Sequence, residues 1–142
     1  GFTGQIGEYL PVDVSIPAIG QGALGIESRI DDTETNELID FFNHPETSWA
    51  VRAERAFLKR LEGGCQVPIA CHGIVTERTL NLTGLVADCE GVHCLKKTVS
   101  GSVDDAEQLG TSLADDLLIQ GAGKILNEVY QHETFNVNRE DV

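Results

Sequence analysis

The feature that most constrains this fold is a hydrophobic period that changes twice. From Pro45 to Leu61, Trp49, Ala53, Phe57 and Leu61 recur every four residues as one apolar helical stripe, while Arg52, Arg55 and Lys59 share a polar side. Gly63-Gly64 ends that pattern and the period becomes two. Val67, Ile69 and Cys71 alternate first, then Leu80, Leu82, Gly84 and Val86, then Val92, Cys94 and Lys96, with the turn-like "TERT" and "DCEG" between. At Ser102 helical spacing returns through Ala106, Leu109, Leu113 and Leu117. This order predicts an α+β fold: a three-stranded antiparallel meander with one helix before it and further helices after.

The boundaries have chemical causes. "NHPETSW" supplies an Asn or His cap, Pro at the first helical position and Glu close behind. Ser102 with Asp105 makes a capping-box-like start, and "GAG" at 121–123 interrupts the last helical pattern before Ile125 to Tyr130. Residues 44–130 therefore read as a self-sufficient two-layer domain, and 131–142 as a polar tail with little to anchor it.

Residues 1–43 are of another kind. They read as a short helix end, a turn at Leu10-Pro11, and a glycine-rich stretch, "VSIPAIGQGALGIESRI", whose alternation suggests extended backbone. Asp32 to Phe42 then predicts a helix with Leu38, Ile39 and Phe42 on one face. No core of their own is visible, so these residues are expected to be partial segments of other domains. The chain has no Met, starts with Gly and opens in mid-pattern, which suggests an excised or processed piece.

Charge narrows the partners. The net charge of -13 repels nucleic acid and anionic lipid, and no apolar run approaches the ~18 residues of a membrane span. Neither a nucleic-acid nor a membrane partner is expected, and a cytoplasmic setting is the default. The basic residues are clustered: Arg52, Arg55, Lys59 and Arg60 fall just before Cys65. They form either a solvated helix face paired internally with Glu54 and Glu62, or an anion-binding rim beside a reactive thiol. Cys65 itself is either a loop residue of no consequence or a nucleophile that needs a base or positive field to ionise.

Other short patterns carry less. Cys65, Cys71, Cys89 and Cys94 permit two disulfides, but a chain with its own core does not need them, and free thiols are the better reading. Joined by His72 and His93 they contain zinc-type donors, yet not the paired short knuckles of a structural zinc site, so no metal is expected. "GQGALG" satisfies G-x-G-x-x-G, but strand-like "IESRI" follows it where a dinucleotide site needs a helix. Close packing, or a polar ligand against the backbone, accounts better for those glycines.

Three longer stretches carry a resemblance. "IPAIGQGALGIESR", "NHPETSWAVRAERAFLKRLEGGCQVPIA" and "DAEQLGTSLADDLLIQGAGKIL" resemble the C-terminal part of the porphobilinogen deaminase (hydroxymethylbilane synthase) family, in order and spacing, over about residues 5 to 130. The resemblance implies a transferase of porphyrin and heme biosynthesis, which condenses four porphobilinogen molecules into hydroxymethylbilane and releases ammonia. It places Cys65 where the family attaches a dipyrromethane cofactor by a thioether, and Gln21 and Gly22 on the loop beside that cofactor. It implies a third domain built as a three-stranded antiparallel sheet with helices on one face, preceded at 1–43 by remnants of periplasmic-binding-protein-like α/β domains.

The family's catalytic aspartate and most of its carboxylate-binding arginines belong to earlier segments. No catalytic residue is therefore expected here, and the chain alone should be inactive. Many relatives have Cys at the position of Ser28, a change of little consequence if Cys65 is the anchor. The full-length enzyme is expected to be a monomer. The alternative is a non-catalytic scaffold or binding module with an unmodified thiol.

Overall fold

The computed structural model describes residues 3–62 and 68–137, with residues 130–137 followed as helix backbone only. The first forty carry little regular structure. A 3-10 turn, Thr3–Gln5, precedes a turn at Pro11, whose carbonyl accepts from the Val14 and Ser15 N–H groups. The stretch from Val14 to Ile30, expected to be extended, contains no strand; two turns fold its middle, with Gln21 N–H on the Ala18 carbonyl and Ala23 N–H on the Gly20 carbonyl. Alternation without a neighbouring strand gives the backbone no ladder to join.

Helix α1 (Thr33–Ile39) is capped by Asp32, whose Oδ1 accepts the Thr35 N–H at 3.1 Å, and it tightens into a 3-10 turn over Asp40–Phe42. Its expected apolar face is largely in solvent, with Leu38 and Phe42 both exposed.

Helix α2 (Pro45–Arg60) begins as the sequence indicates. His44 is the cap, its Nδ1 accepting from Thr47 N–H at 3.3 Å, and Pro45 needs no donor at the first helical position. Ala53, Phe57 and Leu61 from the expected stripe are buried, and Trp49 packs at the edge of the same core. The helix stops at Arg60, and Glu62 turns the chain away with φ +53°.

Three strands follow, β1 (Ile69–Thr76), β2 (Thr79–Ala87) and β3 (Cys94–Ser102), antiparallel in the order β1-β2-β3. Two residues, Glu77 and Arg78, close the first hairpin. Cys71 on β1 and Leu80, Leu82, Gly84 and Val86 on β2 face the core as expected. The third strand corrects the expectation: Val92 lies before it, Cys94 and Lys96 point outward, and the inward positions are Leu95, Lys97, Val99 and Gly101. Lys97 obscured this alternation because it occupies an inward position and reaches out to Asp116 at 2.8 Å, keeping its charge paired while its stem packs.

Ser102 does start the next helical segment, a 3-10 turn over Val103–Asp105, but its hydroxyl accepts from Asp104 N–H rather than forming a box with Asp105. Helix α3 (Ala106–Ile119) follows. At Gly121, φ +110° reverses the chain into α4 (Ala122–Val137), which buries Ala122, Ile125, Leu126 and Val129. The backbone is helical to Val137, through the first residues of the segment expected to be a polar tail.

Helices α2 and α3 cover one face of the sheet, while the other face carries polar pairs such as the Thr83 and Thr98 hydroxyls, 2.9 Å apart. Two glycines set how closely these layers approach. A Cβ on Gly110 would lie 2.1 Å from the Ala53 carbonyl oxygen, and one on Gly84 would lie 2.7 Å from the Phe57 ring. Gly110 lets α3 meet the backbone of α2, and Gly84 leaves the room beneath β2 that Phe57 fills.

Candidate functional site

Cys65, the expected anchor, lies in residues 63–67, outside the described residues. The segments on either side are fixed: Leu61 N–H bonds the Phe57 carbonyl at the end of α2, and Pro68, ahead of β1, accepts from Ala87 N–H at 3.0 Å. The thiol's segment therefore joins two packed elements of one core.

Gln21 and Gly22 stand on a tight turn. The Gln21 side chain accepts the Ala18 N–H at 2.9 Å, and Gly20 and Gly22 both have positive φ, +69° and +86°, where a side chain is strained. The turn meets α2 and β1 around a hollow of about 460 Å³, lined by Gly20 to Ala23, by Glu46, Thr47, Ala50, Val51 and Glu54 of α2, and by His72 to Val75. That volume lies within the ~300–1,000 Å³ of small-molecule sites. The turn is joined to the sheet by one carboxylate. Glu54, buried in α2, accepts Gly20 N–H on Oε2 at 2.7 Å and Gly73 N–H on Oε1 at 2.8 Å, with His72 Nδ1 at 3.7 Å.

Glu54 is the residue that sequence reasoning placed wrongly. It was expected, in the solvated-face reading, to pair with the basic cluster on its own helix. Instead it shares the inner face with Ala50, Ala53 and Phe57. The available signal was position: residues 50, 53, 54, 57 and 61 follow buried helical spacing, and a charge there must find partners inside.

The basic cluster divides in two. Arg52 makes a two-pronged pair with Glu107 on α3, at 2.7 and 2.9 Å, and Arg60 bonds Asp115 at 2.7 Å. The Glu107 hydrogen bond raises the Arg52 guanidinium, and the reciprocal bond lowers the Glu107 carboxyl. Arg55 and Lys59 stay exposed and make no ion pair among the described residues. They border, with Arg52 and Arg60, a groove of about 580 Å³ between α2 and α3.

The remaining cysteines have other roles. Cys71 is fully buried in the core; burial, reinforced by the Glu54 charge, pushes its thiol far above the usual range and makes it a packing residue. Cys89 and Cys94 are exposed and free. Cys89 lines a hollow with Asp88, His93 and Glu128, in which burial draws the Asp88 carboxyl upward but hydrogen bonds from His93 and Val92 outweigh it and hold it low. Among the described residues no group of three or more His, Cys, Asp or Glu side chains is arranged to hold a metal ion, and no helix is long and apolar enough to cross a membrane. Ser28 donates to Asn36 Oδ1, a link that locally ties the glycine-rich stretch to α1.

The sequence profile described as "Porphobilinogen deaminase, C-terminal domain" matches residues 49–119, half of the chain, from within α2 to the end of α3. The chain belongs to that family. Among its relatives, the protein named "Porphobilinogen deaminase" of Geobacter sulfurreducens is 59% identical over 133 residues, and those of Geobacter metallireducens and Geotalea uraniireducens are 60% and 58% identical over the same length. Each match covers 94% of this chain and 42% of the relative, so the chain spans about two fifths of the length of the curated relatives it matches. The sheet with helices on one face agrees with the α+β fold expected of this C-terminal domain.

Proposed function

We propose that this chain is the cofactor-bearing C-terminal portion of a hydroxymethylbilane synthase, the transferase that joins four porphobilinogen molecules head to tail with loss of ammonia. The observation that carries the reading is the 59% identity over 133 residues to a protein named for that deaminase. On this reading the full-length enzyme is a cytoplasmic monomer whose substrate is porphobilinogen, and residues 1–43 are pieces of its other domains. The exposure of Leu24, Ile30, Phe41 and Phe42 supports that assignment, because apolar groups of this size normally find a covering surface.

Cys65 is read as the thioether anchor of a dipyrromethane, and Gln21 and Gly22 as the wall against which that group rests. When bound, the dipyrromethane supplies the free pyrrole carbon from which the chain is extended. The residues present offer a tether and a wall, a thiol between two fixed segments and a hollow edged by glycine backbone, but Glu46 and Glu54 also line that hollow and make it acidic. They do not make a complete cradle. No Lys or Arg lines that hollow, so the acetate and propionate groups of cofactor and substrate require cations from elsewhere in the longer protein.

A thiolate must form before Cys65 is alkylated; on this reading the basic cluster that precedes it in sequence would favour that form and the C-terminal end of α2 would oppose it. The proton-handling aspartate is assigned to the longer protein as well, so this chain alone is read as inactive. The 42% coverage also favours a second reading for this chain taken alone, a scaffold whose thiol is bare.

Incubating the full-length protein with porphobilinogen, and measuring ammonia and hydroxymethylbilane, tests the proposal. Turnover in the wild type and none in Cys65→Ser is expected. Undiminished turnover in the variant defeats the assignment of the anchor, and no turnover in the wild type defeats the assignment of the activity.

A further inference from the structure

We propose that Glu54 is a positioning residue of this site, holding the Gly20 to Gly22 turn in register with the two elements that flank Cys65. The inference rests on the proposed function for what the turn does, and on geometry alone for what Glu54 holds. A buried carboxylate is costly unless hydrogen bonds satisfy it. Here the two oxygens serve different segments: Oε2 takes the Gly20 N–H and Oε1 takes the Gly73 N–H, from positions 34 and 19 residues away.

Gly73 lies on β1, an edge strand, so its N–H points away from the sheet and Glu54 stands where a further strand would otherwise pair. Among the described residues the turn's other backbone and side-chain hydrogen bonds are internal, linking Ala18 with Gln21 and Gly20 with Ala23. Among the described residues, the charge-assisted bond from Gly20 and the apolar contact of Ile19 with the core attach the turn to the domain. Helix α2 leads into the Cys65 segment and β1 leads out of it, so turn, helix and strand converge on one carboxylate.

Glu54→Gln isolates this role. A glutamine has the same shape but one acceptor oxygen, so one N–H is left facing an amide donor. Serving Gly73 keeps the core intact and releases the turn. In the full-length protein we expect Gly20 amide exchange to accelerate by about tenfold or more, and kcat to fall about tenfold or more with KM changed by less than about threefold, because misplacing a wall residue slows the reaction without removing the substrate's charge contacts.

Gly20→Ala is a second variant from the other side of the bond. Its added Cβ meets only Val51 Cγ1, at 3.9 Å, so the core is spared, but φ +69° strains the turn; the same split between kcat and KM is expected. Unchanged Gly20 exchange in Glu54→Gln, or kcat within about twofold of wild type in both variants, overturns the proposal. Should Glu54→Gln fail to fold, wild-type exchange with the Gly20→Ala kinetics decides. A Gly20 amide exchanging as fast as free turn amides overturns the proposal, and one as slow as the Gly73 amide supports it. A wild-type protein without turnover removes the underlying activity instead, and the wild-type control separates that failure from this one.

Discussion

Among the described residues between Pro45 and Val129 most large apolar side chains converge on one core, with Ile74, Val92 and Ile119 the exposed exceptions, whereas between Ile6 and Phe42 most of them face solvent. Phe57 is 0% exposed and Phe41 77%; Leu113 is 0% exposed and Leu24 98%. Composition does not separate the two regions, since both hold amphipathic helical sequence with an acidic first turn. Partners do. The face of α3 meets α2 and the sheet, while α1, seven residues long, is held by its Asp32 cap and by Asn36, whose side chain donates to the Arg29 carbonyl at 3.0 Å. A helix that short is marginal without packing.

That contrast can be broken by substitution. The largest effect is expected for Phe57→Ala, a loss of about 3–5 kcal/mol in urea unfolding followed by far-UV circular dichroism, since it empties the space beneath Gly84. Gly110→Ala should follow at about 1–3 kcal/mol, because the new methyl group meets the α2 backbone, which cannot step aside as a side chain can. In the first region, Phe42→Ala should change stability by less than about 0.5 kcal/mol in the same experiment. A loss at Phe42 comparable to that at Phe57 would mean that residues 3–42 share the core after all.

Acid unfolding tests the pairing of α2 with α3. The Arg52 hydrogen bond holds the folded-state carboxyl of Glu107 below its ordinary 4.5. Its contribution is therefore present in full above about pH 4.5 and is lost as pH falls through the lowered folded-state value. Glu107→Gln should flatten the pH dependence of unfolding in that acid window by slightly lowering the midpoint at neutral pH, where wild type holds the pair, and by converging with wild type once the carboxyl is protonated. An identical acid limb in wild type and variant would show that the pair contributes nothing there.

The legible parts of this fold were those that local chemistry decides. His44-Pro45 fixed one end of α2, the apolar spacing chose its buried face, and the two-residue periods of β1 and β2 gave the inward positions. The parts that failed were decided by distant partners. Lys97 at an inward position hid the parity of β3 because its pair, Asp116, lies on α3. The Arg52 and Arg60 pairs span 55 positions, and Glu54 finds its donors in a turn and a strand that the helix sequence does not announce. For the site, "GQG" and Cys65 stood out as residues, but the carboxylate that ties the turn to the sheet became visible only with the elements packed.

What is bonded to the Cys65 sulfur decides whether this chain carries the cofactor. Intact mass and peptide mapping of the active full-length protein, with Cys65→Ser beside it, examine that atom directly. A two-pyrrole adduct is expected on the peptide containing Cys65 and none in the variant. An active protein whose Cys65 peptide has its unmodified mass would contradict the assignment of the anchor.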